Sequence, residues 1–166
     1  SVRLRFAYLE KYLENNFFRT SLGSDYPITE LRISRGIPGV LKSAYKYTKL
    51  NLTISDFKKI SPFGTIYYNL YAGKVFGTVP YMLLNIAPGN EIYYYNKYAF
   101  NLMNRYEYIM DRYAGMQIEH NIGNGIFRLI PFNRFLKFRQ FWNMKMIWGD
   151  MTAANRALNI RSDFPF

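Results

Sequence analysis

Apolar and polar residues alternate with period two wherever a period can be read, and that alternation predicts half-buried β-strands. Val2, Leu4, Phe6 and Tyr8 alternate with Arg3, Arg5 and Ala7. Leu50, Leu52 and Ile54 oppose Lys49, Asn51, Thr53 and Ser55. Ile66, Tyr68, Leu70 and Ala72 oppose Thr65, Tyr67, Asn69, Tyr71 and Gly73. The same rule holds along Ala114–Ile118 and along Trp142, Met144, Met146 and Trp148. Each strand so marked is expected to be apolar on one face and strongly polar on the other.

The connections differ in kind. Asp56 to Gly64 (DFKKISPFG) reads as a compact turn, whereas the segment from Gly77 to Lys97 reads as a long loop rich in Pro, Gly and Asn. Tyr98 to Met110 alternates well enough to be a seventh strand, and is kept as loop or hairpin. Helical turns are expected at Tyr8–Asn15 and, after Pro131, within Phe127–Phe138. The tail NRALNIRSDFPF reads as loop.

Composition narrows the setting. The 16 Tyr, 14 Phe and 2 Trp are too many for a dry core, because a buried tyrosine hydroxyl needs a partner. Sites that are apolar on one side and wet on the other are what this chain requires, and membrane interfaces supply them. The longest apolar run, counting Pro and Tyr, is Val79–Leu84, far short of the ~20 residues of a spanning helix. Strands of about 9–12 residues instead approach the tilted span of a bilayer. The net charge of +11 favours an anionic partner. Without cysteine there is neither a disulfide framework nor a thiolate metal site.

Two stretches carry a family resemblance. The first is AGKVFGTVPYMLLNIAPGNEIYYYNKYAFNLMNRYEYIMDRYAGMQIEHN from Ala72, followed by RLIPFNRFLKFRQ from Arg128; the second is Leu22–Pro27, LGSDYP. Together they resemble the C-terminal barrel region of a Bacteroidota outer-membrane family of undefined function. Such proteins typically carry an N-terminal carboxypeptidase-regulatory-like module, which is not found in these 166 residues. The barrel region is in turn similar to the surface-antigen superfamily of assembly factors of the BamA and TamA type.

The resemblance implies an all-β fold residing in the bacterial outer membrane: a segment of an antiparallel transmembrane β-barrel with about six wall strands, at residues 2–9, 27–35, 45–55, 65–76, 113–122 and 138–149. The loop from Gly77 to Asp111 would match the surface loop that folds back into the lumen of assembly factors. The sequence departs from the superfamily there, since Phe100-Asn101-Leu102-Met103 stands where Val-Arg-Gly-Phe or Val-Arg-Gly-Tyr is expected. Six strands cannot close a barrel, the smallest common form having about 8, so a longer chain is expected.

Candidate sites follow. Pro80, Tyr81, Pro88, Gly89, Asn90 and Glu91 are rigid elements of the long loop, expected either to fix its fold or to act through it. Trp142 and Trp148, about 20 Å apart along one strand, suit two aromatic girdles at the lipid interface. Arg3, Arg5, Arg32 and Arg35 are expected to line the lumen. Lys42, Lys46, Lys74 and Lys97 fall toward loop ends, where lipopolysaccharide phosphates are the natural partner. His120, the only histidine, has no second His or Cys to complete a metal set, and interface anchoring is its expected role. Glu107 and Asp111 are expected to form ordinary ion pairs with Arg105 and Arg112. The Gly23, Gly36–Gly39 and Gly123–Gly125 clusters are turn chemistry, without the Lys-Ser/Thr end of a phosphate loop.

The expected role is non-enzymatic, with no cofactor, in outer-membrane protein biogenesis or transport. Partners would be outer-membrane lipid, lipopolysaccharide and other outer-membrane proteins, and not nucleic acid. The alternative is a soluble basic β-rich module that binds nucleic acid, which requires aromatic and basic residues on one face.

Overall fold

The computed structural model describes residues 1–39, 45–61, 63–90, 94, 96–104, 106–123 and 139–159. Ten strands and one helix are present in this part. The strands are β1 Val2–Ala7, β2 Lys11–Asn15, β3 Phe18–Gly23, β4 Ile28–Gly36, β5 Tyr47–Lys59, β6 Thr65–Phe76, β7 Asn85–Ile86, β8 Ile109–Met110, β9 Arg112–Gly123 and β10 Gln140–Asp150. The helix is α1, Ala153–Asn159. Six strands form one antiparallel sheet in the order β1-β4-β5-β6-β9-β10, and β2-β3 and β7-β8 form two small pairs. Among the described residues β1 and β10 each have a single neighbour, so the sheet is open.

Chain direction sorts the connections. The β2–β3 hairpin and the β5–β6 turn lie at one end of the sheet, here the hairpin end. Residues 77–111 and α1 lie at the other, the loop end. The β5–β6 turn is tight: Ile60 N–H donates to Gly64 O at 2.8 Å. Gly64 has φ +87°, and a Cβ there would sit 1.9 Å from Asn121 O, so only glycine fits.

Two local expectations fail. Tyr8–Asn15 does not make a helical turn; residues 11–15 are β2, paired with β3 from Lys11↔Gly23 to Asn15↔Phe18. A single helical turn gains one hydrogen bond for three ordered residues. Here the Glu10 carboxylate instead accepts from Arg5, Tyr12 and Ser21, and Tyr8 packs edge-on against Tyr26 at 5.1 Å. The tail is not all loop either, because Ala153–Asn159 is helical. Its three alanines and a leucine have high helix propensity, and the side chains of Asn155 and Asn159 tie it to the loop. The helical turn expected within 127–138 lies outside the described residues. Of Tyr98–Met110, Ile109 and Met110 are strand.

Register assigns each side chain to a face. One unbroken row runs Leu4↔Leu31↔Leu52↔Ala72↔Ala114↔Trp148, and the next runs Phe6↔Thr29↔Ile54↔Leu70↔Met116↔Met146. The opposite face carries Arg3, Arg5, Glu30, Arg32, Lys49, Asn51, Thr53, Asn69, Tyr71, Gln117, Glu119 and Lys145. Arg35 is a correction: it pairs with Thr48 and shares parity with Leu31 and Ile33, at the loop end of the apolar face. It is three residues from Arg32 with no bulge between them, and an odd separation in a strand reverses the face.

The described core lies in neither a sandwich nor a helix layer. One buried cluster joins Val75, Val79 and Leu84, with Tyr47, Leu83, Ile109 and Met151 around it. A second joins Ala87, Met110 and Tyr113, with Tyr71, Met103 and Ile147. The residues of the six-stranded sheet in both clusters belong to the polar face. The long loop is thus packed on that face, and no described element covers the apolar one.

Candidate functional site

The site is the long loop and its two fastenings. Beneath it, Tyr71 and Tyr113 lie over cross-strand glycines: a Cβ at Gly115 would sit 2.3 Å from the Tyr71 ring, and one at Gly73 2.5 Å from the Tyr113 ring. The two rings are 6.2 Å apart, and Tyr113 Oη donates to Asn51 Oδ1 at 3.1 Å. Large flat side chains over bare backbone make a smooth floor on which a loop can rest.

The first fastening holds residues 96–99 to β9 and β10. Lys145 Nζ donates to Ala99 O at 2.7 Å and to Asn96 O at 3.3 Å. Gln117 Nε2 donates to Tyr98 O at 3.2 Å. Lys97 pairs with Glu119 at 3.5 Å and lies 4.0 Å above the Tyr67 ring. Two sheet side chains, Lys145 and Gln117, therefore grip loop backbone carbonyls, contacts that do not depend on the loop's own side chains.

The second fastening joins the two loop ends to α1. Asp111 is 1% exposed and Asn155 2%. Asp111 Oδ2 accepts from Thr152 N at 2.9 Å, from Thr152 Oγ1 and from Asn155 Nδ2 at 2.9 Å. Asn155 Oδ1 accepts from Val79 N at 2.9 Å, and its Nδ2 reaches Gly77 O at 3.2 Å. Asn159 Nδ2 donates to Val79 O at 3.1 Å. Burial alone would raise the Asp111 carboxyl, but the hydrogen bonds from Thr152 and Asn155 together outweigh it and hold the group below its ordinary value.

The expected site residues fall in different places. Pro80 caps a 3-10 turn at Tyr81–Leu83. Pro88 O accepts from Phe100 N at 2.8 Å, and Asn90 N donates to Met103 O at 3.2 Å. Gly89 bridges to Phe100, and a Cβ there would meet Asn104 O at 2.4 Å. These residues shape the loop. Glu91, like Lys42 and Arg105, lies outside the described residues. Trp142 and Trp148 stand exposed on the apolar face of β10. Arg3 pairs with Glu30 at 2.5 Å and Arg5 with Glu10 at 2.6 Å, both on the polar face with Arg32. His120 bonds Phe63 O at 2.9 Å and so anchors the β5–β6 turn.

Asp111 departs from the ion-pair expectation, while Arg105, the partner expected for Glu107, lies outside the described residues. Glu107 Oε2 accepts from Asn104 N at 2.8 Å, and Arg112 pairs with Asp150 and not with Asp111. The Asp111–Thr152–Asn155 network was missed altogether. Its one sequence signal is Asn155 and Asn159, four apart and so on one face of an alanine-rich segment. Between loop, β10 and α1 lies a cavity of ≈ 950 Å³, lined by Tyr81, Met82, Ile86, Ile109, Arg156 and Asn159 among others. Among the described residues no three His, Cys, Asp or Glu side chains are grouped for a metal ion, and no helix is long and apolar enough to cross a membrane.

Residues 1–151 match a family described as a family of unknown function (DUF5686), C-terminal domain. The chain belongs to that family. The match ends one residue past β10, so α1, whose asparagines hold the loop, follows the matched region. No curated protein and no solved structure matches the chain.

Proposed function

We propose that this family domain forms part of the wall of a β-barrel in the bacterial outer membrane. Its apolar face meets acyl chains, and its polar face looks into a hydrated interior that the long loop occludes. The role is in outer-membrane protein biogenesis or transport, acting through wall and loop and without catalysis.

One observation carries this reading: among the described residues, no element packs on the largely apolar face of the sheet. Leu4, Phe6, Leu52, Leu70, Met146 and Trp148 are all exposed. Leu52 and Leu70 belong to central strands, so their exposure does not come from an open edge. A patch spanning six strands far exceeds the few hundred Å² common on soluble monomers. Its height also suits a bilayer. Along β9 it is bounded by Arg112 and His120, eight residues or ~27 Å apart; at a ~40° tilt that is ~20 Å, near the ~25 Å apolar band of outer-membrane barrels.

The other face supports the same reading. Asn69 Oδ1, Tyr71 Oη and Gln117 Oε1 are buried there without a protein partner among the described residues. In a dry core each would cost about 1–3 kcal/mol, whereas a wet interior satisfies them. The edges of β1 and β10 require further strands, because unpaired backbone in lipid costs several kcal/mol per group. A nucleic-acid surface fits less well, since Tyr71 and Tyr113, on the same face as Arg32 and Lys49, lie under the loop.

Single cysteines placed along β10 test the proposal, as this chain has none of its own. In the full-length protein reconstituted in bilayers, spin labels at 142, 144, 146 and 148 should favour oxygen over a water-soluble nickel chelate. Labels at 143, 145 and 147 should not. A flat profile, or a full-length protein that stays monomeric in solution without detergent, would sink it.

A further inference from the structure

We propose that Lys74, Arg112 and Arg156, at the loop end of the apolar face, form a binding site for the phosphate of an anionic membrane lipid. The inference rests on the membrane reading above and assigns that face a specific headgroup site.

Its position comes from register. The row Ile33↔Leu50↔Lys74↔Arg112↔Asp150 directly follows the row that ends in Ala72, Ala114 and Trp148. Along β6, β9 and β10 the face therefore changes from apolar to charged within one step of two residues, about 7 Å. That is the height at which acyl chains give way to headgroups. Trp148 stands at the boundary, where an amphipathic ring is favoured.

Its chemistry comes from the side chains. A shallow cavity of ≈ 690 Å³ is lined by Arg112, Asp150, Met151, Thr152 and Arg156. The Asp150 carboxylate takes both guanidiniums, Arg112 on Oδ2 and Arg156 on Oδ1 at 3.5 Å. Arg156 also reaches Met151 O at 3.5 Å. Lys74 makes no ion pair among the described residues and lies 4.8 Å from the Phe76 ring centroid. Two guanidiniums thus share one carboxylate, and Lys74 stands beside Arg112 in the same row. Asp150 holds the two planar donors together, and a guanidinium has five N–H donors, more than these contacts use, an arrangement suited to phosphate oxygens. A free phosphate would find the charge but not the apolar surface below it. A lipid engages both, its phosphate at the arginines and its chains along Trp148 and Ala114.

Full-length protein carrying Trp148 as its only tryptophan, in mixed bilayers, gives the test. Brominated phosphatidylglycerol and brominated phosphatidylcholine are compared as quenchers of Trp148. The anionic lipid should be enriched about fivefold beside Trp148, the factor for one basic charge near a surface. Arg112→Gln with Arg156→Gln should abolish the enrichment. Exposed Lys74→Gln, which removes no ion pair, should reduce it even where the double variant fails to fold. Equal quenching by both lipids would overturn the site while leaving the membrane reading intact. Quenching by neither would overturn both. Loss of the enrichment on adding millimolar inorganic phosphate would overturn the commitment to a lipid.

Discussion

Asn155 shows how much one side chain can organise. It follows the matched region, yet it holds the first residues of the long loop through Gly77 O and Val79 N and the last through Asp111. Replacing it by alanine leaves Val79 N–H and a buried carboxylate short of partners, at about 1–3 kcal/mol for each such group. Asn155→Ala is expected to cost about 3 kcal/mol locally, which is roughly a 100-fold rise in amide exchange over residues 77–84. Exchange across the centre of β5 should hold at its original rate. A rise spread equally over both segments would show that the asparagine supports the whole sheet and not the loop.

Among the elements, the β2–β3 hairpin is the one whose stability depends most clearly on pH. Glu10 lies in the bend before it, accepting first from Arg5, then from Ser21 and Tyr12, and its carboxyl is lowered from 4.5 to about 2. A carboxylate depressed in the folded state contributes its full stabilisation above the unfolded value and loses it as pH falls toward the folded one. The hairpin should therefore be tight at pH 7 and loosen between about 4.5 and about 2. Amide exchange over residues 11–23, read by NMR, is the measure. Glu10→Gln should loosen the hairpin at pH 7 and erase the acid step. A wild-type hairpin equally protected at pH 7 and pH 2 would refute the linkage.

For the whole molecule, the two faces make opposite demands. Met146 lies mid-band on the apolar face, while Thr53, on β5, looks to the polar side. In a bilayer Met146→Arg should cost about 2–4 kcal/mol and Thr53→Arg little, both measured by reversible unfolding into denaturant from lipid. On a soluble sheet the order would change, because an arginine replacing an exposed methionine costs almost nothing in water. Equal, small effects would remove the basis for a lipid-facing surface.

The alternation along each strand determined which side chains share a face, and so the two-sidedness of the sheet was legible residue by residue. Parity in a pleated strand is a local property that needs no knowledge of the partner strand. Arg35 obeys the same rule: it stands an odd number of residues from Arg32 in one strand, so the two face opposite ways. Tertiary structure alone decided the rest. Lys11–Asn15 became a strand because Phe18–Gly23 came to lie beside it, and the loop settled on the polar face because Lys145 and Gln117 meet its carbonyls there. Asp111 and Asn155 meet across 44 residues that no local pattern connects. Such contacts depend on loop closure and on what else packs nearby, quantities that belong to the folded chain as a whole.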